Sequence, residues 1–205
     1  MSDLDFAALL VSRVCHDLVS PVGAVVNGLE VLEDERDATM RADALKLVAS
    51  SAALAAARLQ FARIAYGAAG SAGAELDLSE VGRMVCGILK GGKTEMLWEA
   101  AVVNWPKDWA KLLMNSALLG ADALPRGGRV LVTTSRAPSP LAFTVRATGH
   151  GARVLEEVER AMRGEPAGPM DGRSIQPYLA HKLARLVKAE LTLSCGEGFV
   201  EIAAA

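Results

Sequence analysis

The residues at 4–33 carry an apolar stripe that only a long amphipathic helix presents on one face. An α-helix advances about 100° per residue, so positions three or four apart share a face. The apolar face is formed by Ala7, Leu10, Val11, Val14, Leu18, Val22, Val25, Leu29 and Leu32. Because such a stripe needs a packing partner, the pattern predicts a helix that cannot stand alone.

The opposite face of this helix is polar, and His16 lies at its centre. Its neighbours on the helix surface are Ser12, Arg13, Ser20, Gly23, Asn27, Glu30 and Asp34. Asp17 follows the histidine directly. Most histidines in helices are ordinary surface or core residues, so this pair becomes informative only through what surrounds it. The pattern predicts an exposed imidazole beside a carboxylate.

A second long helix is predicted at 38–67, after a charged turn at 34–37. It is rich in alanine and can pack closely on the first helix as an antiparallel hairpin, each helix being roughly 45 Å long. Two helices alone leave parts of both stripes in water, although each buried aliphatic side chain contributes about 1.5–3 kcal/mol. We therefore predict that two copies of the chain associate into a dimeric four-helix bundle.

The residues at 68–73 are small and Gly-rich, and we predict that they link the hairpin (1–67) to a second domain (74–205). Helices are predicted there at 78–90, 106–124, 153–163 and 175–188, and strands at 96–103, 129–135, 141–147, 190–194 and 199–203. These elements predict an α/β sandwich, a mixed sheet covered by helices on one face. The whole chain is then of the α+β class.

Composition excludes several classes of partner. Lys and Arg number 22 against 24 Asp and Glu, so the net charge of -2 offers no basic surface to nucleic acid or to an anionic membrane. The N-terminus is acidic, whereas a signal peptide begins with basic residues. The sequence also has no run of ~18 uninterrupted apolar residues, which is the length that predicts a membrane span. The three cysteines lack metal-ligand spacing and fit reduced thiols. We expect a soluble, cytoplasmic protein.

The segment HDLVSPV at 16–22 resembles the H box of sensor histidine kinases, in which an acidic residue, a leucine, a basic residue, Ser or Thr, and proline follow the phosphorylated histidine. Val19 departs from this pattern, because it stands at the basic position. The segment at 109–117 falls where the kinase N box would be, with Asn115 at the metal-coordinating asparagine. The resemblance implies a histidine-kinase-ATPase-like fold for the second domain.

The other nucleotide-binding boxes are degenerate. Where the kinases have Asp-x-Gly-x-Gly, with the aspartate binding adenine, this chain reads ATGHG at 147–151, so Ala147 replaces the aspartate. The Gly-rich phosphate loop is replaced by RSIQPYL at 173–179, which has no glycine to bring backbone N–H groups up to a triphosphate. Asn115 is then a structural remnant, and we expect no ATP binding.

The segment LVSRVCHDLVSPVGAVVNGLE at 10–30 is similar to the first helix of the ChpT-type histidine phosphotransferases of alphaproteobacteria. The similarity continues through Asn27 and Gly28, beyond the generic H box. It implies a dimer that carries phosphate from the receiver domain of a CckA-like hybrid kinase to CtrA-like and CpdR-like response regulators. Magnesium is expected on the partner receiver domain, so no cofactor is assigned to this chain.

Transfer from an aspartyl phosphate needs an exposed nitrogen nucleophile, which we assign to His16. Asp17 would orient the ring or take up its Nδ1 proton. A wider face for the phosphoryl group or the partner is formed by Arg13, Ser20, Gly23, Asn27 and Glu30. Arg13 can pair with phosphate or be a solvated charge, and Ser20 can bind phosphate or bond back to the His16 carbonyl. Gly23 and Asn27 suit close approach by a partner, although a glycine can also mark crowding between helices.

Two alternatives to a phosphorelay intermediate stay open from the sequence. One is an ATP-dependent autokinase with an unusual nucleotide pocket, and the other is a dimeric adaptor that binds receivers without chemistry. Nucleotide binding distinguishes the first, and phosphate on His16 distinguishes the second. His150 and His181 have no cluster of partner residues in the sequence, and we expect both on the surface.

Overall fold

The N-terminal part of the chain is a hairpin of two long helices, α1 (Asp3–Asp34) and α2 (Ala38–Ala65). Ser2 and Asp5 form a capping box at the start of α1, and the Asp37 side chain caps α2. The bounds of both helices lie within two residues of the predicted ones. The computed structural model describes residues 1–67, 73–135, 140–166, 168–172 and 174–205.

The two helices of the hairpin approach each other closely at Gly28. A Cβ atom at this position would lie 2.6 Å from Cγ2 of Val48 on α2, so only glycine fits. Other parts of the predicted apolar stripe are not covered, since Val11, Val22 and Leu29 are exposed. The stripe is therefore wider than α2 can cover.

The rest of the chain is an α/β sandwich that begins after the hairpin. Its elements are β1 (Glu75–Asp77), α3 (Leu78–Leu89), β2 (Thr94–Glu99), β3 (Asn104–Pro106), α4 (Lys107–Asp122), β4 (Gly128–Thr134), β5 (Phe143–Thr148), α5 (Glu156–Met162), α6 (Ile175–Val187), β6 (Leu191–Gly196) and β7 (Phe199–Ala204). The main sheet has the strand order β2-β4-β5-β7-β6. β2 runs parallel to β4 and the other neighbours are antiparallel, so the predicted mixed sheet is confirmed.

Helices cover one face of this sheet, as the sequence predicts. Alternate residues of β5 and β7 are buried, which is the pattern of a strand with one packed face. α4 lies at the centre of the sandwich, where every residue from Ala110 to Ala121 is buried. Nζ of Lys111 on α4 donates a hydrogen bond of 2.6 Å to the carbonyl oxygen of Gly67, just beyond the end of α2. This bond ties the hairpin to the sandwich.

Some predicted bounds are wrong. The strand predicted at 96–103 ends at Glu99, and the helix predicted at 153–163 begins only at Glu156. β1 and β3 were not predicted because strands of three residues carry no usable alternation. Residues 68–72 of the predicted linker lie outside the described residues, so the domain boundary stays a prediction.

By length and composition alone, α1 could cross a membrane, and no other helix in the described part of the chain meets that criterion. In this structure α1 packs against α2 and α6. It also contains an ion pair between Arg13 and Asp17, and charged side chains are costly inside a bilayer. The apolar character of α1 is therefore weak support for a membrane span.

Candidate functional site

His16 lies on the exposed side of α1, with 76% of its side chain accessible to solvent. Its Nδ1 atom is 3.3 Å from Oδ1 of Asp17. Because a carboxylate only accepts hydrogen bonds, this contact favours the imidazole tautomer that carries its proton on Nδ1. The lone pair is then on Nε2.

Asp17 is less accessible than His16, at 26% of its side chain, and it contacts groups on three sides. Its Oδ2 accepts a hydrogen bond of 3.0 Å from Nε of Arg13, one turn earlier on α1. Arg58 of α2 donates a hydrogen bond to the backbone carbonyl of Asp17. The two carboxylate oxygens therefore have different partners, an imidazole and a guanidinium, and these contacts fix the plane of the carboxylate.

Arg13 bridges α1 and the sandwich. Only 16% of its side chain is accessible to solvent. Its Nη1 donates a hydrogen bond of 3.4 Å to the carbonyl oxygen of Gly172, and its Nη2 is 3.9 Å from Oδ2 of Asp122. Burial opposes the charge of the guanidinium, but the neighbouring carboxylates, Asp17 first, raise the pKa of Arg13 overall. Arg13 is not a solvated charge, and its pairing with a phosphoryl group stays a prediction.

Three residues that sequence reasoning missed, Arg58, Tyr66 and Asp122, lie in or beside this network. A cavity of about 130 Å³ beneath it is lined by polar groups that include Arg58, Tyr66 and Asp122. The Tyr66 hydroxyl is buried without a hydrogen-bond partner, and burial raises the pKa of this phenol well above its usual range. Neither Tyr66 nor Asp122 could be placed from the sequence, because both are far from His16 along the chain.

A larger cleft of about 320 Å³ opens between His16 and the sandwich. Its apolar lining comes from α4, α5, the segment before α5 and β7, and includes Leu119, Val154 and Ile202. Charged side chains also line it: Arg13, Asp122, Arg153 and Glu157. The histidine is therefore at the junction of the two parts of the chain.

The other predicted residues of the face continue along α1 toward the hairpin turn. Ser20, Asn27 and Glu30 are exposed. The Ser20 hydroxyl has no hydrogen-bond partner among the residues described, so it does not bond back to the carbonyl of His16. A Cβ atom at Gly23 would meet nothing within 4 Å, so Gly23 does not mark crowding inside this chain. The structure thus gathers Arg13 and Asp17 around His16 and leaves the others further along the helix.

Residues in or next to the degenerate nucleotide boxes make contacts within the chain itself. Asn115 is fully buried, and its Nδ2 donates a hydrogen bond of 2.9 Å to the carbonyl oxygen of Lys111 on the same helix. Near the N-terminus of α6, the Phe6 ring of α1 packs edge-on against Tyr178, with ring centroids 6.2 Å apart. Nζ of Lys182 lies 5.0 Å from the centre of the Phe6 ring. α1 therefore packs against the first two turns of α6, while residue 173 lies outside the described residues.

The remaining histidines have structural contacts. His150 is exposed, with Nδ1 2.6 Å from Nη1 of Arg126. The expectation of a surface position is wrong for His181, which is half-buried with Nδ1 3.1 Å from the carbonyl oxygen of Met162. Within the described part of the chain, no group of three or more His, Cys, Asp or Glu could hold a metal ion.

Known proteins of one family are similar to this chain. The family model of the histidine phosphotransferase C-terminal domain matches residues 78–198. Protein phosphotransferase ChpT of Brucella abortus (strain 2308) is 43% identical over 185 residues, which cover 90% of this chain and 87% of that protein. A solved structure described as a bacterial phosphotransferase is 37% identical with a TM-score of 0.90, and the match covers 100% of this chain and 98% of that one.

A more distant likeness concerns the fold alone. The structure of full-length ShkA in complex with AMPPNP is 20% identical with a TM-score of 0.50, and the match covers 100% of this chain and 45% of that chain. The predicted fold class, a helical hairpin followed by a histidine-kinase-ATPase-like sandwich, is confirmed. From the family match, the 43% identity across most of the chain and the shared structure, this protein belongs to the ChpT-type histidine phosphotransferases, which act in phosphorelays.

Proposed function

We propose that His16 accepts a phosphoryl group from the aspartate of one receiver domain and passes it to the aspartate of another, without ATP. The observation that carries this proposal is an imidazole 76% accessible to solvent with Nδ1 3.3 Å from the Asp17 carboxylate. An exposed ring can be reached by a protein substrate, and the carboxylate orients it for attack through Nε2.

In the first transfer, Nε2 attacks the phosphorus of the aspartyl phosphate. The N–P bond forms while the P–O bond to the receiver carboxylate breaks, and that carboxylate leaves with the electron pair. The ring gains positive charge, which the hydrogen bond from Nδ1 to Asp17 stabilises. In the second transfer, the carboxylate of the next receiver attacks the phosphorus and His16 regains its lone pair.

Several features support a reaction without ATP. Ala147 stands where kinases have the adenine-binding aspartate, and the Asn115 amide is buried within its own helix. Phe6 occupies one side of the N-terminal end of α6. Charge on the phosphoryl oxygens is neutralised by Mg²⁺ bound to the acidic cluster of the receiver, so this chain needs no resident metal.

The protein acts as a homodimer in this proposal, because a second copy fits the uncovered apolar surface of the hairpin. We name this surface the dimer ridge. It comprises Leu4, Val11, Val22 and Leu29 of α1 with Leu45, Ala49, Ala52, Ala56 and Leu59 of α2, all exposed. At about 100° per residue, both sets lie on one side of the hairpin, and His16 points roughly 120° away from the α1 set. A four-helix bundle built on the dimer ridge leaves both copies of His16 accessible.

The family resemblance supports a CckA-like hybrid kinase receiver as donor and CtrA-like and CpdR-like response regulators as acceptors. A cytoplasmic location is part of the same proposal, since such partners would meet the protein there. Gly23, Asn27 and Glu30 offer them a contact face on α1 that is continuous with His16. The net charge of -2 gives no support to a nucleic-acid or membrane partner.

Phosphotransfer profiling against the receiver domains of the source organism tests the proposal. Label from a phosphorylated receiver is expected to move to an acid-labile, alkali-stable site on the protein and then to a second receiver. The His16→Ala variant is expected to lose both steps. Relay of label between two receivers by His16→Ala would contradict the proposal.

The two alternatives make different predictions in the same set of experiments. Calorimetric titration with Mg-ATP is expected to show no binding, and micromolar affinity would favour an autokinase. A dimeric adaptor would bind receivers but would carry no phosphate on His16.

A further inference from the structure

We propose that Asp122, at the end of α4 in the sandwich, is a positioning residue for His16 that acts through Arg13 and Asp17. This inference rests on the proposed role of His16 as the phosphoacceptor. It gives the sandwich a part in the transfer step, although its nucleotide boxes are degenerate.

The argument begins at Arg13, where the hairpin meets the sandwich. Its Nε is 3.0 Å from Oδ2 of Asp17 on its own helix, whereas Nη2 is 3.9 Å from Oδ2 of Asp122. Nη1 donates to the carbonyl oxygen of Gly172, shortly before α6. A guanidinium is planar and its donors have a fixed arrangement. The Gly172 carbonyl and the Asp122 carboxylate therefore both act on the guanidinium whose Nε reaches Asp17.

The direction of that bond decides which oxygen of Asp17 is left for the histidine. With Oδ2 held by Arg13, Oδ1 faces Nδ1 of His16 at 3.3 Å. If Arg13 moved, the carboxylate could turn, and the imidazole would lose the partner that favours one tautomer. A ring that carries its proton on Nε2 has no lone pair there and cannot attack phosphorus.

Charge balance leads to the same conclusion. Two cations, Arg13 and Arg58, lie with two carboxylates, Asp17 and Asp122, around the cavity beneath the site. Without the charge of Asp122, Arg13 would keep Asp17 as its one carboxylate partner among the described residues, so the balance of charge that holds Asp17 between Arg13 and His16 would change. Asp122 thus keeps Asp17 available to His16.

The test uses full-length protein with Asp122→Asn, which keeps the side-chain shape and removes the charge. Glu157→Gln is the matched control, because Glu157 lines the same cleft and makes no ion pair among the described residues. The tautomer of His16 is read from ring ¹⁵N chemical shifts, assigned among the three histidines with His16→Ala. Wild type and Glu157→Gln are expected to hold the proton on Nδ1, and Asp122→Asn is expected to show a mixture of tautomers.

Kinetics provide the second readout. Transfer from a phosphorylated receiver to His16 is expected to slow about tenfold in Asp122→Asn, which corresponds to ~1.4 kcal/mol in activation free energy. In an Asp17→Asn background, Asp122→Asn is expected to have no further effect, because it acts through Asp17. An unchanged tautomer in Asp122→Asn, or an equal slowing in the Asp17→Asn background, would overturn the proposal. The ¹⁵N measurement needs no phosphate, so failure of His16 as phosphoacceptor would show separately, as absent phosphohistidine.

Discussion

At the residue scale, the site depends on one carboxylate that serves two partners. Asp17 contacts the imidazole of His16 with one oxygen and the guanidinium of Arg13 with the other. Both carboxylate oxygens accept hydrogen bonds, whereas an amide has one accepting oxygen and one donating nitrogen. The ring orientation therefore depends on the charge of Asp17 as well as on its shape.

Asp17→Asn is expected to lower the rate of phosphotransfer about 100-fold. This factor is at the lower end of the range of rate losses caused by removal of a positioned acid–base group. The rate is measured as loss of label from a phosphorylated receiver under single-turnover conditions. Asp43→Asn on α2, whose carboxylate pairs with Lys46 on the surface, is the control and should be unchanged. A wild-type rate in Asp17→Asn would mean that the imidazole needs no carboxylate partner.

Tyr66→Phe is expected to raise the free energy of unfolding by about 1 kcal/mol, because it removes a buried hydroxyl that lacks a hydrogen-bond partner. Urea unfolding monitored by circular dichroism measures this change. Tyr178→Phe is the control and should be close to neutral, since Tyr178 is only half-buried. Destabilisation in Tyr66→Phe would show that the hydroxyl has a partner in solution.

Thiol reactivity provides a check that depends on pH. Cys15 and Cys195 are exposed, whereas Cys86 is half-buried and burial raises the pKa of its thiol. A raised pKa means less thiolate at any pH below it, so at pH 8 iodoacetamide is expected to modify Cys15 and Cys195 before Cys86. Mass spectrometry of timed samples measures the order, and the Cys86 rate should rise as the pH increases. Equal rates at pH 8 would contradict the burial of Cys86.

At the scale of elements, α1 uses its glycines in two ways. Gly28 is where α2 comes closest, with Val48 in the space that a Cβ atom would need. Gly23 has no neighbour within 4 Å of such an atom and lies on the face that we propose for receivers. One glycine therefore serves packing inside the chain, and the other is free to serve a partner.

Gly28→Ala is expected to destabilise the protein by about 1–3 kcal/mol through overpacking against Val48. Gly23→Ala is expected to stabilise it by up to ~1 kcal/mol, because alanine favours helix and meets no neighbour. Gly23→Ala should still slow phosphotransfer if a receiver backbone approaches there. Thermal unfolding and single-turnover transfer, measured on both variants, separate the effect on stability from the effect on phosphotransfer. Transfer in Gly23→Ala that is as fast as in the wild type, or faster, would remove Gly23 from the contact face.

The sequence was sufficient to predict the two long helices and the contact between His16 and Asp17. The apolar period of α1 continues over many turns and α2 is a long alanine-rich segment, so the bounds of both helices were nearly correct. The apolar run after Glu99 read as more strand, but the chain turns there, where Val103 N–H bonds to the Ala101 carbonyl. His16 and Asp17 share a helix, and their relation follows from helix geometry. The burial of Arg13 could not be predicted, because its further partners come from distant segments.

At the scale of the whole molecule, the dimer ridge predicts the oligomeric state. It consists of apolar side chains on α1 and α2 that the chain itself leaves in water. Each aliphatic side chain buried by a second copy contributes about 1.5–3 kcal/mol, so burial of the dimer ridge favours the association that we propose.

Val22→Glu combined with Leu59→Glu is expected to give a monomer, because association would bury unpaired carboxylates. Light scattering coupled to size exclusion measures the mass. Leu186→Glu is the control, since Leu186 is an exposed leucine on α6 outside the dimer ridge, and this variant should stay dimeric. A double variant that keeps twice the chain mass would place the dimer contact elsewhere.

The hairpin is held to the sandwich at the end where α1 begins and α2 finishes: by Phe6 against Tyr178, by Arg13 with Asp122, and by Lys111 with the Gly67 carbonyl. A receiver that docks at His16 therefore does not have to order a loose domain first, and little conformational entropy is lost. Successive receivers that need His16 must occupy this surface in turn and exclude one another from the same protomer. In the proposed relay the protein is then a junction, in which the concentrations and affinities of competing receivers divide the flow of phosphate.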